Sequence, residues 1–207
     1  MASRRSTTKN WLRRQATDPY VKQRIKAGYR SRAAFKLKEI LSRDRLARPA
    51  GTILDLGASP GGWTQVAVDA VGVKGKVLAV DILPMEPVDG SHFIEGDCRE
   101  ADTLHKISTF FDDRPVDLVI SDMAPNITGI RDVDEANFLE LADFVQNFAT
   151  KLLAPGGSML IKLFHFPGTD DYIRGLRNSY SSIARRKPDS SRRTSREFYV
   201  VAKGFEI

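Results

Sequence analysis

Thr52-Ile-Leu-Asp-Leu-Gly-Ala-Ser-Pro-Gly-Gly-Trp63 decides how this chain is read. The first five residues are apolar apart from Thr52 and Asp55, the pattern of a strand buried on both faces. Glycines then break the run, and Trp63 to Val71 carries a helical apolar pattern. A strand, a glycine-rich turn and a helix form the first unit of a parallel α/β sheet. Further strands are predicted at 76–81, 91–95, 116–121, 158–163, 182–186 and 198–203, and further helices at 103–111, 134–153 and 170–180. Upstream, residues 31–42 fit a helix: Ala34, Leu37 and Leu41 fall at helical spacing, with Ser31 as its expected N-cap. The fold class is α/β and Rossmann-like. It has a mostly parallel sheet of about seven strands, one antiparallel strand and helices on both faces. The last two strands are joined by polar residues with no helical pattern, so they read as a hairpin-like addition that supplies the antiparallel strand.

Composition narrows the class. The chain has 207 residues, 42% hydrophobic and 28% charged, which suits one globular domain. We divide it into a basic N-terminal extension, 1–30, and a single domain, 31–207. The single cysteine, Cys98, excludes an internal disulfide framework and reads as packing. His92, His105 and His165 are scattered without metal-ligand spacing, so no metal site is expected. No apolar run approaches the ~20 residues of a membrane span, so no membrane partner is expected. The N-terminus lacks the apolar stretch of a secretory signal. Its Arg- and Ser-rich composition leaves a mitochondrial presequence open beside the cytoplasmic location we expect.

The net charge of +6 hides a segregation. Residues 1–50 carry 15 Lys/Arg against 3 Asp/Glu, residues 51–173 carry 8 against 20, and residues 174–207 carry 9 against 3. Two basic ends flank an acidic middle. The ends suit a polyanion, and the segment Arg185–Arg196, rich in Arg and Ser between two strands, points to nucleic-acid phosphates.

The acidic middle holds the ligand signal. The turn 55–63 lies where a doubly wound sheet binds nucleotide-like ligands, outside the carboxyl ends of its strands. It is neither G-x-G-x-x-G nor a phosphate-binding Walker loop. Asp81 ends the second predicted strand, where an acid can accept ribose hydroxyls, and Asp97 follows the third, where it could face an adenine edge. A pocket lined by carboxylates disfavours a phosphate and suits a cation. That favours S-adenosylmethionine, a sulfonium without phosphate, over NAD and weighs against a nicotinamide-dependent oxidoreductase.

Six ordered stretches then carry a resemblance: SRAAFKL (31–37), DLGASPGGW (55–63), DILPM (81–85), SDMAPN (121–126), LAPGGS (153–158) and RKPDSSRRTSREFYVVA (186–202). Together they resemble the FtsJ/RrmJ family of S-adenosylmethionine-dependent RNA 2′-O-methyltransferases, over nearly the whole chain from Trp11 to Lys203. Ser59 stands where many members carry alanine, and the His165-Phe-Pro-Gly168 loop also departs from relatives. The resemblance implies the methyltransferase version of the Rossmann-like fold and S-adenosyl-L-methionine as cofactor. Asp55, Gly57, Ser59, Pro60, Gly61, Gly62, Trp63, Asp81, Asp97 and Asp122 would bind that cofactor. It maps the family's catalytic set onto Lys36, Asp122, Lys162 and Glu197. Compact length without extra domains resembles the bacterial members that methylate a uridine ribose in the peptidyl-transferase A-loop of 23S rRNA, within the large ribosomal subunit. RNA would bind through the basic N-terminal region and Arg185–Arg196.

The residues suit those roles. Lys162 lies inside an apolar strand, MLIKLF, where a lysine is costly unless paired. Asp122 closes the fourth predicted strand at the same end of the sheet. A neutral Lys162 amine could take the ribose proton, whereas a charged one stabilises the developing alkoxide; both roles stay open. Lys36 also suits plain phosphate binding, and Glu197 also suits pairing with Arg196. A tRNA ribose methyltransferase of the same family and a non-catalytic RNA-binding ribosome assembly factor are the alternatives.

Overall fold

The protein is described by a computed structural model covering residues 19–192 and 194–206. Residues 1–18 of the basic extension and Arg193 of the basic segment lie outside the described residues. In chain order the elements are α1 (Pro19–Ala27), α2 (Ala33–Asp44), β1 (Thr52–Leu56), α3 (Gly62–Val71), β2 (Lys76–Asp81), β3 (His92–Glu95) and α4 (Ala101–Phe110). They continue with β4 (Val116–Ser121), α5 (Arg131–Leu152), β5 (Leu153–Phe164), α6 (Thr169–Gly175) with a 3₁₀ turn at Leu176–Asn178, β6 (Tyr180–Arg186) and β7 (Glu197–Phe205).

The seven strands form one sheet in the order β3-β2-β1-β4-β5-β7-β6. β1 to β5 pair in parallel, and β7 runs antiparallel to both β5 and β6. The final hairpin therefore does not simply extend the sheet edge. β7 inserts between β5 and β6; its run Phe198-Tyr-Val-Val-Ala202 is buried on both faces, as suits a strand inside the sheet rather than at its edge.

Two cores form, one on each face. Leu54, Leu56, Val119, Met159, Val200 and the α5 stripe Ala142, Val145 and Phe148 pack on one side. Ile53, Leu118, Ile120, Leu160, Tyr199 and Val201 pack on the other, against α2 and α3. Successive strand residues alternate between the two clusters, as a pleated strand covered on both faces requires.

Three local expectations are corrected. The residue preceding α2 is Arg32, in helical conformation and without a side-chain cap, so Ser31 is not the N-cap. The strand expected over 158–163 begins earlier: β5 starts at Leu153 and takes in Pro155-Gly-Gly157. Its pairing with β4 shifts register between Val116 and Leu118, the usual accommodation of Pro and Gly in a strand. The helix expected over 170–180 ends at Gly175 and tightens to a single 3₁₀ turn, since Tyr180 already belongs to β6.

Candidate active site

All the parallel strands end at one edge of the sheet. There β1 delivers the turn 57–61, β2 delivers Asp81, β4 delivers Asp122, and Lys162 lies near the end of β5. Gly57 and Gly61 have φ of +76° and +101°, which L side chains rarely adopt. The Gly57 and Ala58 amides donate to the Val80 carbonyl of β2, at 2.9 and 3.2 Å, and Gly61 N–H donates to Ala58 O at 2.6 Å. Asp81 closes the turn from the other side: Oδ2 accepts from Ser59 N–H and Oδ1 from Leu83 N–H, both at 2.8 Å. Each oxygen keeps a lone pair for a ligand hydroxyl.

Asp55 is almost wholly buried, at 1% exposure. Its Oδ2 accepts from Thr64 Oγ1 at 2.7 Å, and its Oδ1 has no hydrogen-bond partner. Burial pushes its carboxyl up to about 7; Asp122 and Asp81 push the same way, and the Thr64 hydroxyl opposes them. Asp97 differs. Arg99 grips both its oxygens through Nε and Nη2 at 2.6–3.0 Å, holding the carboxyl below its usual range. A ligand there would share Asp97 with Arg99.

Trp63 and Gly62 face inward. Trp63 is 3% exposed, its indole N–H donates to Ala33 O at 2.9 Å, and its ring lies 5.7 Å from Tyr199. A Cβ on Gly62 would strike Ser31 Oγ, and one on Gly57 would strike Met123. The space these two glycines leave open is taken by the protein's own chain.

The four residues Lys36, Asp122, Lys162 and Glu197, drawn from four separate segments, meet in one connected chain. Lys162 Nζ lies 3.1 Å from Asp122 Oδ1 and also donates to the Asp122 backbone carbonyl. Lys36 Nζ lies 2.5 Å from Glu197 Oε1. Tyr199 joins the two pairs: its hydroxyl donates to Asp122 Oδ1 at 2.9 Å and accepts from Lys36 Nζ at 3.2 Å. Ser191 Oγ adds a bond to Glu197 Oε1 at 3.3 Å. Burial pushes the Glu197 carboxyl up, but the charges of Lys36 and Lys162 and the hydrogen bonds from Lys36 and Ser191 outweigh it. The net shift is downward, so Glu197 is ionised. Burial, reinforced by Asp122 and Glu197, pushes the Tyr199 phenol well above its ordinary value, so it keeps its proton.

Tyr199 escaped the sequence reading. The available signal was its period-2 spacing from Glu197, which puts both side chains on one face of β7. It was masked because Phe198-Tyr-Val-Val reads as plain core.

The basic segment is a folded strap. Arg186 forks onto Asp44 of α2 at 2.5–3.1 Å, Arg185 pairs with Asp170, and Lys187 donates to the Ser195 and Glu197 carbonyls. Glu39 of α2 accepts from the Asp189 amide and Arg32 donates to Ser190 O, so the strap is clasped against α2. Its Arg196 is exposed. Among the described residues no helix is long and apolar enough to cross a membrane, and no group of three His, Cys, Asp or Glu is placed to hold a metal. Cys98 is half-buried against the core, and burial pushes its thiol up to about 11.

Residues 29–205 match the FtsJ-like methyltransferase family. The chain belongs to that family. Among the similar proteins of this FtsJ-like family is a ribosomal RNA large subunit methyltransferase E from Alkalilimnicola ehrlichii, 51% identical, with 99% of this chain and 98% of that protein aligned. Another of the same name, from Marinobacter nauticus, is 46% identical over 99% of both chains. The crystal structure of a ribosomal RNA methyltransferase from Plasmodium falciparum superposes with a TM-score of 0.77 at 28% identity, covering 86% of this chain and 98% of that one. An rRNA methylase from Clostridium thermocellum, 15% identical with a TM-score of 0.52, shares the fold. The protein is thus a methyltransferase with the Rossmann-like architecture that its strand pattern predicts.

Proposed function

We propose that the protein transfers a methyl group from S-adenosylmethionine to a ribose 2′-oxygen of 23S rRNA in the large ribosomal subunit, with a uridine of the peptidyl-transferase A-loop as target. The observation that carries this reading is the connected chain Glu197–Lys36–Tyr199–Asp122–Lys162 beside a carboxylate-lined glycine turn. The names of the relatives supply the substrate.

The residues present fit the donor. Asp81 has acceptor capacity for ribose hydroxyls, and Asp55 Oδ1 is a buried acceptor without a partner. The lining Asp55, Asp81, Asp97 and Asp122 suits a cation and repels phosphate. When bound, S-adenosylmethionine would supply an electrophilic sulfonium methyl for in-line attack by the 2′-oxygen.

The protein's own task is to place that oxygen and ease the release of its proton to solvent water as the methyl is transferred. As an ammonium Lys162 has three hydrogens; it donates one to the Asp122 carbonyl and pairs its charge with the Asp122 carboxylate. A remaining hydrogen is available to the ribose oxygen, where a fixed cation stabilises negative charge as it builds. Asp122 holds Lys162 in place. Lys36, anchored by Glu197 and Tyr199, sets a second cation for the alkoxide or the neighbouring phosphate.

The test offers tritiated S-adenosylmethionine and the protein to large ribosomal subunits from a strain lacking its own copy of the enzyme, with bulk tRNA in parallel. Label in large-subunit RNA, at a linkage resistant to alkali, is the expected result. Label only in tRNA overturns the target and keeps the reaction. Donor binding with no label in either RNA supports the non-catalytic assembly-factor reading.

A further inference from the structure

The N-terminal segment reaches into the glycine turn. A Cβ on Gly61 would meet Arg30 Nη1 at 2.9 Å, and Gly62 is closed off by Ser31. Arg30 itself spans the crevice rim. Its Nη1 donates to Pro60 O in the turn at 3.3 Å and to Glu86 O, and its Nη2 donates to Pro87 O at 2.5 Å. Pro60 follows β1, while Glu86 and Pro87 lie in the segment leading away from Asp81. These are the two stretches of backbone that flank the donor site.

The arginine is held in turn. Its amide donates to Gln65 Oε1 of α3 at 2.9 Å, and Gln65 Nε2 donates to Gly28 O at 3.0 Å. Arg24 of the basic helix α1 donates to the Arg30 carbonyl at 2.6 Å. Gln65 therefore fixes the arginine from the helix that opens at the turn.

We propose that Arg30 is a positioning residue for the methyl donor: its guanidinium clamps the β1 turn to the segment after β2, fixing the spacing of the two walls between which the donor lies. This rests on the S-adenosylmethionine reading above. A guanidinium suits the task because its planar fork satisfies several carbonyls at fixed angles, whereas an ammonium is a single point. Preformed walls spare the donor the ordering of two loops on binding. The clamp acts through backbone and touches no reacting atom, so its loss weakens donor binding more than it slows the chemical step.

The experiment titrates S-adenosylmethionine by calorimetry into the full chain, wild type, Arg30→Met, Arg30→Lys and Gln65→Met, and measures donor KM and kcat with ribosomal subunits. Arg30→Met is expected to raise donor Kd and KM about tenfold, with a far smaller change in kcat at saturating donor. Arg30→Lys should recover only part of the loss, and Gln65→Met should show a weaker change in the same direction. Thermal denaturation reports folding; if Arg30→Met unfolds, Arg30→Lys carries the comparison. A folded Arg30 variant with wild-type donor Kd overturns the proposal and leaves the donor reading intact. A wild-type chain that binds no S-adenosylmethionine overturns the donor reading and the clamp with it.

Discussion

Lys162 and Tyr199 stand opposite each other across the β5–β7 pairing, and both reach the same atom, Asp122 Oδ1, from 3.1 and 2.9 Å. One strand register therefore places a cation and a proton donor on one carboxylate oxygen. Asp122 is fixed from two sides, and Lys162 cannot swing away without giving up both of its contacts to that residue.

The sharpest expectation concerns Lys162. In Lys162→Met the apolar stem of the side chain is kept and the charge is lost. Methyl transfer should fall by about 10³-fold or more, the scale for removing a group that stabilises charge in a transition state. Calorimetry should show donor binding retained. Turnover within tenfold of wild type would show that the amine is not part of the reaction.

Tyr199→Phe removes one hydroxyl that serves two pairs. Asp122 loses a donor and Lys36 an acceptor, the latter buried. Stability should drop by about 1–2 kcal/mol in urea titration. Turnover at saturating substrates should fall roughly tenfold because Asp122 and Lys36 each regain freedom, with donor KM little changed. A variant with wild-type kcat would reduce the hydroxyl to packing.

Stability should depend on pH through Asp55. Its pKa stands near 7 in the folded chain against an ordinary 3.8. Between those values the folded state binds more protons than the unfolded one, so this residue makes stability fall as pH rises from about 4 to 7, then level off. The size is of the order of a few kcal/mol. Asp55→Asn abolishes this contribution. Relative to wild type, the variant should be more stable at pH 8 than at pH 5, read as the difference in denaturation midpoint at the two pH values. Glu197 works in the opposite sense, since its lowered pKa stabilises the fold above its unfolded value and is lost on acidification.

Gly57→Ala should destabilise by about 1–3 kcal/mol, because alanine resists a φ of +76° and its methyl runs into Met123. Met123→Ala in the same chain should recover the steric part and leave the conformational part. Chemical denaturation of the single and double variants separates the two.

Much of this was legible from residues alone. The central strands were readable because they are largely apolar runs, and Lys162 stood out as the lysine inside such a run. Asp81, Asp97 and Asp122 were readable as acids at or just past strand ends. What escaped was non-local. Nothing within 60–63 announces that Arg30 and Ser31, thirty residues away, occupy the space beside Gly61 and Gly62. Ser31 looked like a helix cap because caps are recognised by neighbours in sequence, while its hydroxyl in fact lies against Gly62. The hairpin β6–β7 was visible, but local pattern does not say which strand of a hairpin lies inside a sheet. Tyr199 was hidden for the same reason, since its polar end finds partners only after β5, α2 and the segment after β4 have assembled around it.

The inserted strand also imposes an order on synthesis. As the polypeptide leaves a ribosome, β5 and β6 emerge before β7; β5 can pair with β4, but its other edge stays open and β6 has no partner strand until residues 197–205 follow. The nascent chain thus displays an open strand edge while α2 waits, with Lys36 lacking both Glu197 and Tyr199. The glycine turn can form without β7, but Lys36 gains its partners Glu197 and Tyr199 only once that strand lies between β5 and β6. During that interval the half-finished sheet is exposed to pairing with other chains.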